Sequence, residues 1–262
     1  MFKQIFGIAA LALSFTAAAQ QPPTVVDLPT RPGVTPRMLV TTLPEPKATV
    51  ILLAGGHGGL QLFQNGSFKW GEGNFLVRSR QLFADKGLMA VVVDAPSDRL
   101  RAPFLNGFRQ TEEHAADLKA TIAWARATAK VPVWLVGTSR GTQSAAYAAT
   151  VLQGADAPDG VVLTATILAD DKQRPVPAMP LEHIKVPVLV VHHQQDGCSY
   201  CAYSEIPNLM AKLTHTPRSH LITATGGKNQ GDACAAFAHH GFNGLEADVV
   251  GQMADWILAP AR

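Results

Sequence analysis

Short runs of consecutive apolar residues recur along this chain, at Met89–Val93, Val133–Val136, Val161–Ile167 and Val188–Val191. Unbroken runs of this length predict strands buried on both faces of a parallel sheet, since a strand with one wet face would alternate. Arg37–Leu43 and Ala48–Leu53 read as two further strands, rich in Val, Leu and Thr and broken by Pro44 and Pro46. Pro187 stands just before the last run, where a missing N–H costs a sheet little. Helical patterns lie between. Gln110–Thr128 sets Leu118, Ile122 and Ala125 on one face, and Val249, Met253 and Trp256 share a face near the end. The Ala-rich stretch Thr142–Leu152 follows directly on a strand. Strands alternating with helices predict an α/β domain over residues 37–262, with a mainly parallel central sheet flanked by helices. About 20 residues separate the Val161–Ile167 and Val188–Val191 runs, which leaves no room there for a large lid domain.

The two ends of the pattern differ from the middle. Lys3, the apolar stretch Ile5–Phe15 and Ala17-Ala18-Ala19 read as an export signal over residues 1–19 with an A-x-A cleavage site. That stretch is shorter than the ~20 residues a bilayer span needs, so no membrane span is expected in the mature chain. Residues 20–36, rich in Pro and Thr, read as an extended lead-in. Export to the periplasm or the medium is therefore expected, and with it a setting where disulfides form.

Composition narrows the function classes. Of 262 residues, 47% are hydrophobic and 16% charged, enough apolar material for a sizeable core and too much for a disordered chain. A net charge of +2, with no run of Lys or Arg, excludes the electrostatic footprint of a nucleic-acid binder. Three cysteines, Cys198, Cys201 and Cys234, all fall in the last third, and an odd count leaves one unpaired or open to another molecule.

The sharpest chemical signal is Gly137-Thr138-Ser139-Arg140-Gly141, set between the apolar run Val133–Val136 and the helical stretch from Thr142. A strand that turns abruptly into a helix strains its corner residue, and only small neighbours two positions away avoid a clash. Gly137 and Gly141 satisfy that need, so Ser139 is the candidate nucleophile, projecting above the sheet at a helix N-terminus. A serine hydroxyl needs a base, and the base needs an orienting acid. Asp196 lies in a turn just past the Val188–His193 strand, at the sheet edge where active sites of open α/β sheets lie. Asp170 and Asp171 are its rivals, read otherwise as a solvated turn, and Asp94 as the organiser of a turn with Pro96. The base is His239 or His240, in a loop before Gly241. His114, His183, His215 and His220 read as ordinary surface or helix-end residues. His192 and His193 end a strand and are placed to shape the pocket.

An elbow serine, an acid after a late strand and a His-Gly-Phe near the C-terminus resemble the α/β-hydrolase superfamily, over residues 38 to 258. Its dienelactone-hydrolase-like and prolyl-oligopeptidase-like branches often place the catalytic His before Gly-Phe, which implies His240 as base. The resemblance also implies an oxyanion hole made of the Arg140 N–H and a donor from the loop after an early strand. Here that loop is Ala54-Gly55-Gly56-His57-Gly58-Gly59, and the donor is Gly56 or His57. No cofactor or metal is implied, and the loop lacks a phosphate-binding G-K-[ST].

If this triad is right, the Asp196 and His240 loops converge, and a Cys198–Cys234 disulfide would hold them together. The competing reading takes Cys198-Ser199-Tyr200-Cys201 as a redox C-x-x-C. The activity implied is that of an exported serine hydrolase cleaving a small or medium carboxylic ester. Alternatives are a non-catalytic binding protein on the same fold, a peptidase or a thiol oxidoreductase. The segment Leu60–Arg80, with Phe63, Phe68, Trp70 and Phe75, either walls the pocket with aromatics or packs a small core of its own.

Overall fold

Successive residues of the central strands face opposite sides of the sheet, and in this protein both sides are dry. In β3 (Ala48–Leu53), Ile51 and Leu53 join one apolar cluster while Val50 and Leu52 join the other. The split repeats in β5 (Val133–Thr138), between Val133 and Leu135 on one side and Trp134 and Val136 on the other. In β7 (Val188–His193) it divides Val188 and Val190 from Leu189 and Val191. Two wet-free faces explain why these strands read as continuous apolar runs. The coordinates are a computed structural model describing residues 22–260. The export segment expected over 1–19 lies outside the described residues.

Helices cover both faces. On one side pack α3 (Glu112–Ala129), α4 (Gly141–Val151) and the short α5 (Ile206–Ala211), through Leu118, Ile122 and Ala125, a row of α4 alanines, and Ile206 and Leu209. On the other lie α1 (Phe75–Arg78), α2 (Arg80–Asp85) and α6 (Glu246–Leu258), through Phe75, Phe83, Val249 and Met253. Thr111 caps α3 by accepting from the His114 N–H, and Glu112 and Glu113 open it at the favourable end of the helix dipole.

The sheet has eight strands in the order β1-β2-β4-β3-β5-β6-β7-β8. From β4 (Leu88–Pro96) through β3, β5, β6 (Gly160–Thr164), β7 and β8 (Ser219–Ala224), every pairing is parallel. β2 (Pro36–Thr41) and β1 (Thr24–Asp27) add an antiparallel flank. After β3 the chain goes to β4 on one side, then crosses to β5 on the other. The strand order therefore reverses between β3 and β5, which opens a crevice at their C-terminal ends.

Several elements differ from the sequence expectation, the helices α1, α2 and α5 among them. The lead-in carries a strand, β1, which pairs with β2 in register from Thr24 opposite Val40 to Asp27 opposite Arg37. β8 went unread because, as an edge strand, it buries only Ile222 and Ala224 and shows no apolar run. The Val161–Ile167 run forms a strand only to Thr164, since Ala165 turns the chain at φ +44°. From there to β7 the path holds two single 3₁₀ turns, Val176–Ala178 and Leu181–His183, and no large lid. Among the described residues no helix is long and apolar enough to cross a membrane.

Candidate active site

Ser139 sits at the corner between β5 and α4 with φ +52°, a left-handed backbone that residues bearing a side chain adopt at a cost. Four hydrogen bonds hold the corner. The Ser139 N–H donates to the Thr164 carbonyl at 3.0 Å, and the Thr142 N–H to the Ser139 carbonyl at 2.9 Å. The Thr142 hydroxyl donates to that same carbonyl at 2.6 Å and accepts from the Ile167 N–H at 3.3 Å. The flanking glycines are needed sterically. A Cβ on Gly137 would stand 2.5 Å from the Gly141 carbonyl oxygen, and one on Gly141 would collide with the Leu53 carbonyl.

Asp196 and His240 meet beside this corner. His240 Nδ1 lies 2.9 Å from Asp196 Oδ2, both side chains being buried. The other carboxylate oxygen accepts the Cys198 N–H at 2.9 Å, which fixes the acid's orientation. His192 packs against the same carboxylate, 3.6 Å away, and its Nε2–H donates to the Cys201 carbonyl at 2.7 Å. Burial holds the His192 ring below the usual histidine pKa. His239 faces elsewhere, stacked on His193 with ring centroids 4.2 Å apart. Of the two adjacent histidines, the structure brings His240 to Asp196.

Cys198 is bonded to Cys234, tying the loop of Asp196 to the loop of His240 across a sequence separation of 36. Cys201 is free and buried, and burial raises its thiol well above the ordinary cysteine pKa. The Cys198 and Cys201 sulfurs and a His240 ring nitrogen lie within 4.8 Å of one another. With Cys198 committed to the disulfide, that cluster lacks the thiolate pair a metal site would use. The C-x-x-C redox reading fails for the same reason.

Ser139, His240 and Cys234 open onto a cavity of about 330 Å³ that Gly55, Gly56, Trp70, Asn74, Phe75 and Ala236 also line. The backbone N–H groups of Arg140, Gly56 and His57 donate to no protein acceptor among the described residues. Gly56 faces the cavity. The His57 ring does not, being held between Trp70 and Phe104 with centroids 4.0 and 4.3 Å away. Behind the loop stands Arg109, fully buried, which no sequence motif announced. Its guanidinium donates to the Ala54 carbonyl at 2.9 Å, the Gly56 carbonyl at 3.1 Å and the Ser144 hydroxyl at 3.0 Å. Burial, with Arg140 nearby, pushes its pKa down to about 9. Arg109 thus splints the glycine loop to α4, the helix that carries the elbow.

No family description matches the chain, and no curated protein does. Solved structures do. A dienelactone hydrolase from Anabaena variabilis superposes with a TM-score of 0.64 over 93% of this chain and 100% of that one, at 16% identity. An esterase from Pyrococcus furiosus gives 0.62 over 90% of each chain at 12% identity. Est1E from Butyrivibrio proteoclasticus gives 0.58 over 90% and 98% at 14% identity. This chain has the α/β-hydrolase fold.

Within the hydrolase fold several polar residues differ from their sequence reading. His114, expected near the surface, is buried on α3, and its Nε2 lies 2.9 Å from the Ser144 hydroxyl. Burial pushes its pKa down to about 3. Asp170, expected in a solvated turn, hides its carboxylate against Arg140 Nη1 at 2.7 Å. Asp94 organises the Leu60–Leu62 segment, accepting both N–H groups at 2.6 and 2.7 Å, as well as its own neighbour Ala95. In the aromatic segment, Trp70 and Phe75 wall the cavity while Phe68 packs under Arg80 and Phe63 faces solvent. The segment therefore walls the cavity with two of its aromatics and adds Phe68 to the main core of the sheet, with no separate small core of its own.

Proposed function

We propose that this chain is an exported serine esterase that hydrolyses small or medium carboxylic esters through an acyl-enzyme. The observation that carries the reading is the 2.9 Å pairing of His240 Nδ1 with Asp196, on the wall of the cavity that Ser139 enters. With its Nδ1–H held by the carboxylate, His240 presents Nε2 as base to the Ser139 hydroxyl. Ser139 Oγ attacks the ester carbonyl, and the oxyanion is received by the N–H of Arg140 and that of Gly56 or His57. His240 then gives its proton to the departing alcohol. Water, deprotonated by the same ring, releases the acid and restores the serine. The cycle needs no cofactor.

Ester substrates are favoured over peptides because solved structures similar to this chain include a dienelactone hydrolase and esterases. A cavity of about 330 Å³ suits a small molecule. Export is supported by the charged, then apolar, then Ala-rich N-terminus and by a disulfide suited to an oxidising compartment. The test pairs wild type with Ser139→Ala on short-chain nitrophenyl esters and a fluorophosphonate probe. Hydrolysis and labelling are expected in wild type and absent from the variant. A folded wild type that does neither would overturn the reading in favour of a binding protein.

A further inference from the structure

Asn74 is a polar side chain on the cavity wall that the triad and the backbone donors leave unused. It caps α1: its Oδ1 accepts the Leu76 N–H at 3.2 Å, and its own N–H donates to the Gly71 carbonyl at 2.8 Å. Oδ1 is engaged at the helix, which leaves Nδ2 as the free end of the amide of a residue that lines the cavity. Nδ2 donates to no acceptor among the described residues. A donor so placed has water or a ligand as its only partner.

Nδ2 stands close to Ser139. A Cβ built on Gly55 would stand 3.5 Å from Asn74 Nδ2 and 2.9 Å from Ser139 Cβ. That same point lies 3.0 Å from the Thr138 carbonyl oxygen, so Gly55 packs too tightly for a methyl group and brings Asn74 Nδ2 and Ser139 close on either side of it. An oxyanion on the carbon joined to Ser139 Oγ takes its hydrogen bonds from donors about 3 Å away, and so from groups as near the serine as this one. Nδ2 thus stands beside Gly55, in the loop that supplies the backbone donor.

We propose that Asn74 is a catalytic residue, its Nδ2–H donating to the oxyanion as a side-chain member of the hole. The proposal rests on the serine-esterase reading. It assigns to one residue both the capping of α1 and the stabilisation of charge, through opposite ends of a single amide. Removing a side-chain donor of this kind lowers kcat by roughly 10²-fold.

The experiment compares wild type, Asn74→Ser and Asn74→Asp. Both replacements keep an oxygen that can cap α1, since Asn, Asp and Ser rank together as caps, so both should melt cooperatively near the wild-type temperature. On nitrophenyl acetate, Asn74→Ser should lower kcat about 10²-fold with KM within threefold. Asn74→Asp should lower it further by setting a carboxylate against the oxyanion. Affinity for phenylboronic acid, whose adduct with serine is a tetrahedral anion, should fall in parallel with kcat. A kcat for Asn74→Ser within twofold of wild type, or a loss confined to KM, would overturn the assignment. So would a loss seen only in the Asp variant. Ser139→Ala separates the two levels. If it still turns over, the serine reading fails and Asn74 with it; if it is dead while Asn74→Ser is unimpaired, only the role of Asn74 fails.

Discussion

His114 shows how far burial can move a single residue from its ordinary behaviour. Its ring is enclosed, one nitrogen sits against the Ser144 hydroxyl, and the other has no partner among the described residues. The folded protein therefore refuses a proton until about pH 3, whereas the unfolded chain accepts one near pH 6.5. Between those values the unfolded state binds more protons, so stability rises with pH and levels off above 6.5. As pH falls through the window, this residue removes up to about 1.4 kcal/mol per pH unit. Denaturant midpoints between pH 4 and 6 should drop steeply in wild type and less steeply in His114→Gln. An identical slope in the two would refute this. His192, whose pKa is depressed in the same direction, keeps the variant's slope from vanishing.

At the scale of elements, what the chain announced depended on whether a pattern was local. β3, β5 and β7 were legible because both their faces are dry, and α3 because Leu118, Ile122 and Ala125 repeat at helical spacing. The elbow was legible because Gly137 answers a steric demand from Gly141 that acts within five residues, although the demand on Gly141 comes from Leu53 on the neighbouring strand. β8, half exposed, carried no such demand, and the burial of Arg109, His114 and Asp170 depended on partners 30 or more positions away. Asn74 could be foreseen as a cap before Phe75; its reach toward Ser139 needed the three-dimensional path of the loop. The disulfide links two elements of the site. Closing a loop of this length contributes roughly 3–4 kcal/mol in the chain-entropy model. Cys234 is exposed, so reductant reaches the bond. Reductant should lower the melting temperature and esterase rate of wild type and leave those of a Cys198→Ser/Cys234→Ser variant unchanged. Wild-type values that reductant does not move would argue against a supporting role for the bond.

Across the whole molecule, the two faces of the sheet are sealed by helices while the C-terminal edge stays open, and the candidate chemistry stands on that edge. The link from β6 to β7 spends its length on two single turns against the body of the protein, so no mobile cover lies over the cavity from that connection. Enzymes that bury their site beneath a cover come alive at an oil–water boundary, where the cover swings away. A site without one has nothing to gain there. Turnover of a short-chain ester such as tributyrin should follow a single hyperbola as its concentration passes the solubility limit. An upward break at the onset of emulsion would mean that some other part of the rim behaves as a gate. If the proposed esterase reading holds, the open edge predicts a worker on dissolved molecules, met one at a time in bulk water, and not on the surfaces of droplets.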